Sequence, residues 1–280
     1  MPTYSTPTPI DVAVDLPVGA ITVVASDRTD TVVTVSPTNP AKANDVRGAE
    51  ATTVDLDGRR LTVTGPRPRF SWIGPNESVD VSIELPTGSR LTAEIAVGGV
   101  HATGRLGATR VKSSMGPVDL ERTGDLWVRA SHGTVTVDTA DGGAEITADH
   151  GQVRIGTVTG DAVLKASHGS VRIEEAGGDL EAKLSYGDLE TARALGSVTA
   201  RTAYGSIELG EVSSGSIEVD SGFGRVVVGV RDGVAAWLDL SSKSGHVRNQ
   251  LAADRAPEGS EQTVAVRART QAGDITVQRS

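Results

Sequence analysis

The sequence predicts an all-β chain, a parallel β-solenoid with about eighteen residues and two strands per coil, and with β-rich caps at both ends. Three observations carry this reading. Glycines keep a nine-residue beat, apolar residues alternate after each glycine, and 33 glycines accompany an aromatic content of only 3%. Few rings and many glycines suit a thin, layered core with frequent sharp turns.

The beat is found by counting. Glycine stands at 98, 107, 116, 133, 142, 151, 160, 169, 178, 187, 196, 205, 224 and 233. The intervals are nine, apart from 17 between Gly116 and Gly133 and 19 between Gly205 and Gly224. Gly124 and Gly215 fill the two missing beats nearby. After each glycine the pattern has period two. Gly151 precedes Val153 and Ile155, Gly169 precedes Val171 and Ile173, and Gly205 precedes Ile207 and Leu209, with polar residues between. Period two means a strand with one buried face. A corner glycine supplies a positive φ or a close backbone approach.

The half-repeats are of two kinds. One carries His or an aromatic before its glycine, as in Ser167-His168-Gly169 and Ser185-Tyr186-Gly187; the other, as in Gly160-Asp161 and Gly178-Asp179, does not. One coil is therefore two half-repeats, and equivalent residues of successive coils stack roughly 4.8 Å apart. One inner wall reads Val118, Val135, Val153, Val171, Leu189, Ile207, Val226. The other reads Leu126, Ala144, Ala162, Leu180, Val198, Ile217.

The organisation expected is one continuous domain in three regions. Residues 1–97 form an N-terminal β cap with strands near 11–16, 20–25, 31–36, 52–56, 60–64 and 79–85, and a loop over 65–75 that carries Phe70 and Trp72. Residues 98–233 form the solenoid. Residues 234–280 form a C-terminal cap of longer coils, with a loop over 252–262. Caps are needed because a terminal coil otherwise exposes an apolar cross-section and unpaired edges.

Composition excludes several classes. A net charge of −9 is a poor match for nucleic acid, which needs a basic surface. No apolar run approaches a membrane span, so direct membrane insertion is not expected. The absence of cysteine removes disulfides, thiolate metal sites and Cys nucleophiles. The first ten residues lack a basic segment followed by an apolar one, which reads as a cytoplasmic protein.

The most unusual feature is the residue before each marked glycine. Coil by coil it is Met115, then His132, His150, His168, Tyr186, Tyr204 and Phe223. This column points outward at one edge. It either stiffens a corner by stacking on itself, binds a partner or flat ligand, or shares a metal between imidazoles. The last is disfavoured because metals want convergent ligands. Arg154 and Arg172 form a second outer column that continues into Glu190 and Glu208. It is either a graded charged surface for a partner or a solvated face, the reading preferred because exposed charges are cheap there. Calcium nonapeptides need Asp two after glycine; here Asp follows directly, at Asp125 and Asp161, so calcium is rejected. Asp119, Glu190 and Glu208 share a column, but only the last two are adjacent, and no nucleotide-binding or nucleophile motif is present.

The run Val79-Asp80-Val81-Ser82-Ile83-Glu84-Leu85-Pro86-Thr87-Gly88, the glycine-led strand units, and the ending Ser244-Gly245-His246-Val247 with Gly273-Asp274-Ile275-Thr276-Val277 resemble the bacterial toastrack family, domain of unknown function 4097, also catalogued as candidate adhesins. The resemblance covers nearly the whole chain. It implies a β-solenoid that accompanies envelope-stress and signalling systems, and it implies no catalytic residue. The expected function is a non-enzymatic protein, without cofactor or metal, that presents an outer face to a protein partner. A self-assembling scaffold, with homo-oligomers, and a carbohydrate-binding adhesin are the alternatives.

Overall fold

The structure is a computed structural model that describes residues 2–66, 77–251 and 263–280. Phe70 and Trp72, and the loop expected over 252–262, lie outside the described residues. The chain forms two compact units, Met1–Thr139 and Ala140–Ser280. Both are built mainly of parallel β-coils, whose strands alternate buried and outward side chains as the period-two pattern requires.

The first unit contains β1 (Thr3–Ser5), β2 (Asp11–Ser26), β3 (Asp30–Pro37), α1 (Ala43–Ala51), β4 (Thr53–Asp57), β5 (Arg60–Thr64), β6 (Val79–Pro86), β7 (Arg90–Arg105), β8 (Thr109–Met115), β9 (Val118–Thr123), β10 (Leu126–His132) and most of β11 (Val135–Ala140). Chain order is not stacking order. β2 pairs with β7 on one side, and with β5 and β6 on the other. β5 and β6 therefore belong to the coil outside that of β2. Three antiparallel strands then cover this outer coil: β4 on β5, β3 on β6, and β1 on β3. The far side of β7 takes β8 and β9, and β8 takes β10. The two strands expected at 11–16 and 20–25 are one, because the ladder runs through the corner at Gly19.

Helix α1 is the element that an all-strand reading of residues 1–97 missed. It has nine residues, too few to be stable alone. Its buried Asp45 anchors it, accepting hydrogen bonds from the backbone N–H of Asn39 at 3.2 Å and of Ser78 at 3.1 Å. Among the described residues no helix is long and apolar enough to cross a membrane.

The second unit continues with β12 (Ala144–His150), β13 (Val153–Val158), β14 (Ala162–His168), β15 (Val171–Ala176), β16 (Leu180–Tyr186), β17 (Leu189–Ala194), β18 (Val198–Tyr204), β19 (Ile207–Val212), β20 (Gly215–Phe223), β21 (Val226–Val230), β22 (Ala235–Ser244), β23 (Val247–Asn249), β24 (Thr263–Ala272) and β25 (Ile275–Arg279). Even and odd strands form two ladders in the register that the repeat sets, for example Val171↔Leu189 and Leu180↔Val198. Val153, Val171, Leu189, Ile207 and Val226 are buried against Ala144, Ala162, Leu180, Val198 and Ile217. Order inverts again at the end. β24 and β25 pair with β20 and β21 on one side and with β22 and β23 on the other. The coil of residues 235–249 is thus outermost.

Candidate functional site

The corners of each coil are built by two kinds of glycine, and the marked kind stands at the corner that carries the ring column. The marked ones have positive φ, 144° at Gly187, and a Cβ there would lie 2.1 Å from the carbonyl oxygen of Gly169 one coil away. Only glycine permits both. The unmarked Gly196 needs no positive φ, but its Cβ would lie 2.6 Å from the Gly178 oxygen. At the unmarked corners the residue after glycine holds the coils together. Asp161 Oδ1 accepts the backbone N–H of Asp179 at 2.9 Å, and Asp179 Oδ1 accepts that of Ser197 at 2.8 Å. These carboxylates serve the neighbouring coil's backbone, which gives the glycine-following Asp a structural use.

With the marked corner fixed, the preceding side chain projects outward. His150 and His168 stack with centroids 4.8 Å apart and planes within 2°. His168–Tyr186, Tyr186–Tyr204 and Tyr204–Phe223 follow at 5.0 Å each. Strand spacing imposes that separation, so the rings are a ladder set by the backbone. Tyr186, Tyr204 and Phe223 remain 49%, 47% and 52% exposed. His132 belongs to the first unit, where it pairs in register with the exposed Met115. Parallel imidazoles aim their nitrogen lone pairs side by side, and convergent metal ligation needs the opposite.

A column that sequence reasoning passed over lies three residues before the rings. Lys165, Lys183 and Arg201 stack in register beside His168, Tyr186 and Tyr204. The signal was present in the triplicate Lys165-Ala166-Ser167-His168, Lys183-Leu184-Ser185-Tyr186 and Arg201-Thr202-Ala203-Tyr204. Lys183 Nζ lies 2.5 Å from Glu181, and its hydrogen bond holds that carboxyl below the usual range. Arg201 reaches Glu218 and Asp220 at 3.5 Å each. The Arg154, Arg172, Glu190, Glu208 column stands in register as expected. Three of its charges are paired: Arg172 meets Glu190 within the column at 3.2 Å and Glu174 beside it at 3.1 Å, and Glu208 meets Arg225 at 3.2 Å.

Known proteins give the following comparisons. No curated protein matches the chain. A candidate adhesin from Bacteroides fragilis is 14% identical with a TM-score of 0.36, over 99% of this chain and 95% of that one. A candidate adhesin from Parabacteroides distasonis is also 14% identical, TM-score 0.32, over 98% and 95%. A candidate cell adhesion protein from Clostridium sporogenes is 9% identical, TM-score 0.22, over 100% and 98%. The model of the toastrack domain, DUF4097, matches residues 11–278, so this coil-stacking chain belongs to the toastrack family.

Proposed function

We propose that the chain is a non-enzymatic binding protein that presents the ring column of its second unit to a protein partner. The observation that carries this is the exposure of Tyr186, Tyr204 and Phe223 in one straight line. Aromatic anchors dominate interface energies, and rings already fixed by their neighbours lose little freedom on binding. The family resemblance supports a role in bacterial envelope-stress signalling or regulation. The test is capture from native lysate, read by mass spectrometry, with wild type and with Tyr186→Ser, Tyr204→Ser. A partner whose yield collapses with the folded double variant supports the strip. Equal yields, with a stability loss of about 0.5–1.5 kcal/mol for a lost ring pair, would make the column a corner brace and end the proposal.

A second reading, self-association, draws on a different observation. Among the described residues no strand pairs with the outer edge of β22, and Trp237 and Val247 on this coil are 60% and 45% exposed. Light scattering at rising concentration tests it; a constant monomer mass would remove it.

A further inference from the structure

The ring column stops where its register does not. Phe223 pairs with Ala272, and Ala272 with Ser244, so a methyl and a hydroxymethyl group follow the last ring. One face of Phe223 lies on Tyr204; the other has no ring above it, and the residue is 52% exposed. Beside it the column Ser185, Ala203 shrinks to Gly222, which lowers the surface between the rings and the cations. The result is a groove of about 590 Å³, within the size range of small-molecule sites. Phe223 and Tyr204 form one wall, and Arg201, Asp220 and Arg269 the other, with Lys243 and Gln271 at its end.

Charge and shape narrow the occupant. The lining holds three cations and one carboxylate, in a chain whose net charge is −9. Arg269 meets Asp239 only at 3.7 Å, an exposed contact that leaves its guanidinium available. Lys243 has no ion-pair partner among the described residues. A group with negative charge is therefore favoured, and guanidinium with carboxylate is the geometry best suited to it. The groove is apolar on one side only. A flat aromatic acid would leave one face against polar groups, whereas a pyranose has a C–H face and a hydroxyl rim.

We infer that this groove binds an acidic sugar, its ring on the free face of Phe223 and its carboxylate between Arg269 and Lys243. Gln271 and Asp220 face the hydroxyls. The site shares Tyr204 and Phe223 with the protein-partner strip but not Tyr186, which does not line it.

The experiment is calorimetric titration of the full chain with trigalacturonate, maltotriose and 2-naphthoate. Trigalacturonate should bind, more weakly as salt rises, and maltotriose should bind at least about tenfold more weakly for want of the charge. Phe223→Ala and the pair Arg269→Gln, Lys243→Gln should each weaken binding by about tenfold or more, with circular dichroism unchanged. Tyr186→Ser should leave it intact, which separates this site from the partner strip. Ala272→Phe is the decisive variant, because it places the protein's own ring in the vacant register. It should raise the melting temperature and abolish binding. No uronate binding at millimolar concentration, equal binding of the neutral sugar, preference for naphthoate, or binding indifferent to Phe223→Ala and Ala272→Phe would each overturn the inference.

Discussion

The outermost coils of the two units are made alike and finished differently. In both, the chain lays down the outermost coil out of turn, beyond the coil that holds β2 in one unit and β24 in the other. The first is then covered by antiparallel β3 and β4, and Leu61, Val63, Val81, Ile83 and Leu85 are almost fully buried. The second, β22 with β23, has no such cover among the described residues. Leu238 and Leu240 are only half-buried, and all of β23 is exposed. Trp127 in the first unit lies under the Arg110 guanidinium at 3.6 Å, while Trp237 in the last coil is 60% exposed. The difference shows how a stack divides its energy. A coil's own sequence supplies the inward side chains, but a neighbour on each side is needed to bury them.

The largest test of that comparison puts a charge at an inward position of each outer coil. Ile83→Asp should cost more than about 4 kcal/mol or prevent folding, since it buries an unpaired carboxylate. Leu240→Asp should cost about 1 kcal/mol, because water already reaches the site. Urea unfolding measures both, and equal losses would mean that the last coil is as well covered as the first. A middle effect comes from the corner. Gly187→Ala and Gly245→Ala meet similar obstacles, carbonyl oxygens at 2.1 and 2.0 Å and φ of 144° and 153°. Gly187 is held from both sides, so its loss should be about 2–3 kcal/mol. Gly245 sits in the end coil, which can shift, and its loss should be smaller. Amide exchange sharpens the picture: β6 and β24 should be protected to near the global stability, and β23 should exchange by local fraying. Uniform protection would contradict the structure of the end.

The smallest effect is electrostatic. Asp11 titrates below the ordinary carboxylate range because the Arg90 side chain donates to it, at 2.7 Å from one guanidinium nitrogen. Asp274 is lowered chiefly by the backbone N–H of His246, at 2.9 Å. A depressed folded-state pKa stabilises above the unfolded value, and that contribution is lost as pH falls through the folded value. Carboxyl NMR titration should show Arg90→Met returning Asp11 toward its ordinary value. His246→Ala should leave Asp274 depressed, since a backbone donor survives the substitution.

Legibility in the sequence followed the physics of repetition. The alternation at Val153–Ile155 and Val171–Ile173 placed both walls and the outward column correctly, because period two allows one burial pattern. The inverted order of β2, β5 and β6, and of β22 and β24, was not legible. Residues 11–26, 60–64 and 79–86 carry alternating patterns that fit any edge, and pairing choice is a three-dimensional property. Helix α1 escaped because its anchor, Asp45, reaches not only nearby Asn39 but also Ser78, 33 residues on. The ring column was read directly, and the adjoining Lys165, Lys183, Arg201 column could have been. The groove beside Phe223 could not, since it is made by what Gly222 and Ala272 lack.

The inverted order also has a history in time. As the chain is made from its N-terminus, β22 emerges while the edge of β20 is still open, and β24, the rightful neighbour of both, does not yet exist. The nascent protein therefore holds an edge and a matching strand that must stay apart until some twenty further residues have appeared. At the other end β2 comes first and its partners follow in turn, β5 and β6 and then β7, so each finds its own edge open when it appears. Any premature closure of the stack belongs to the last coil, and undoing it means breaking a finished ladder.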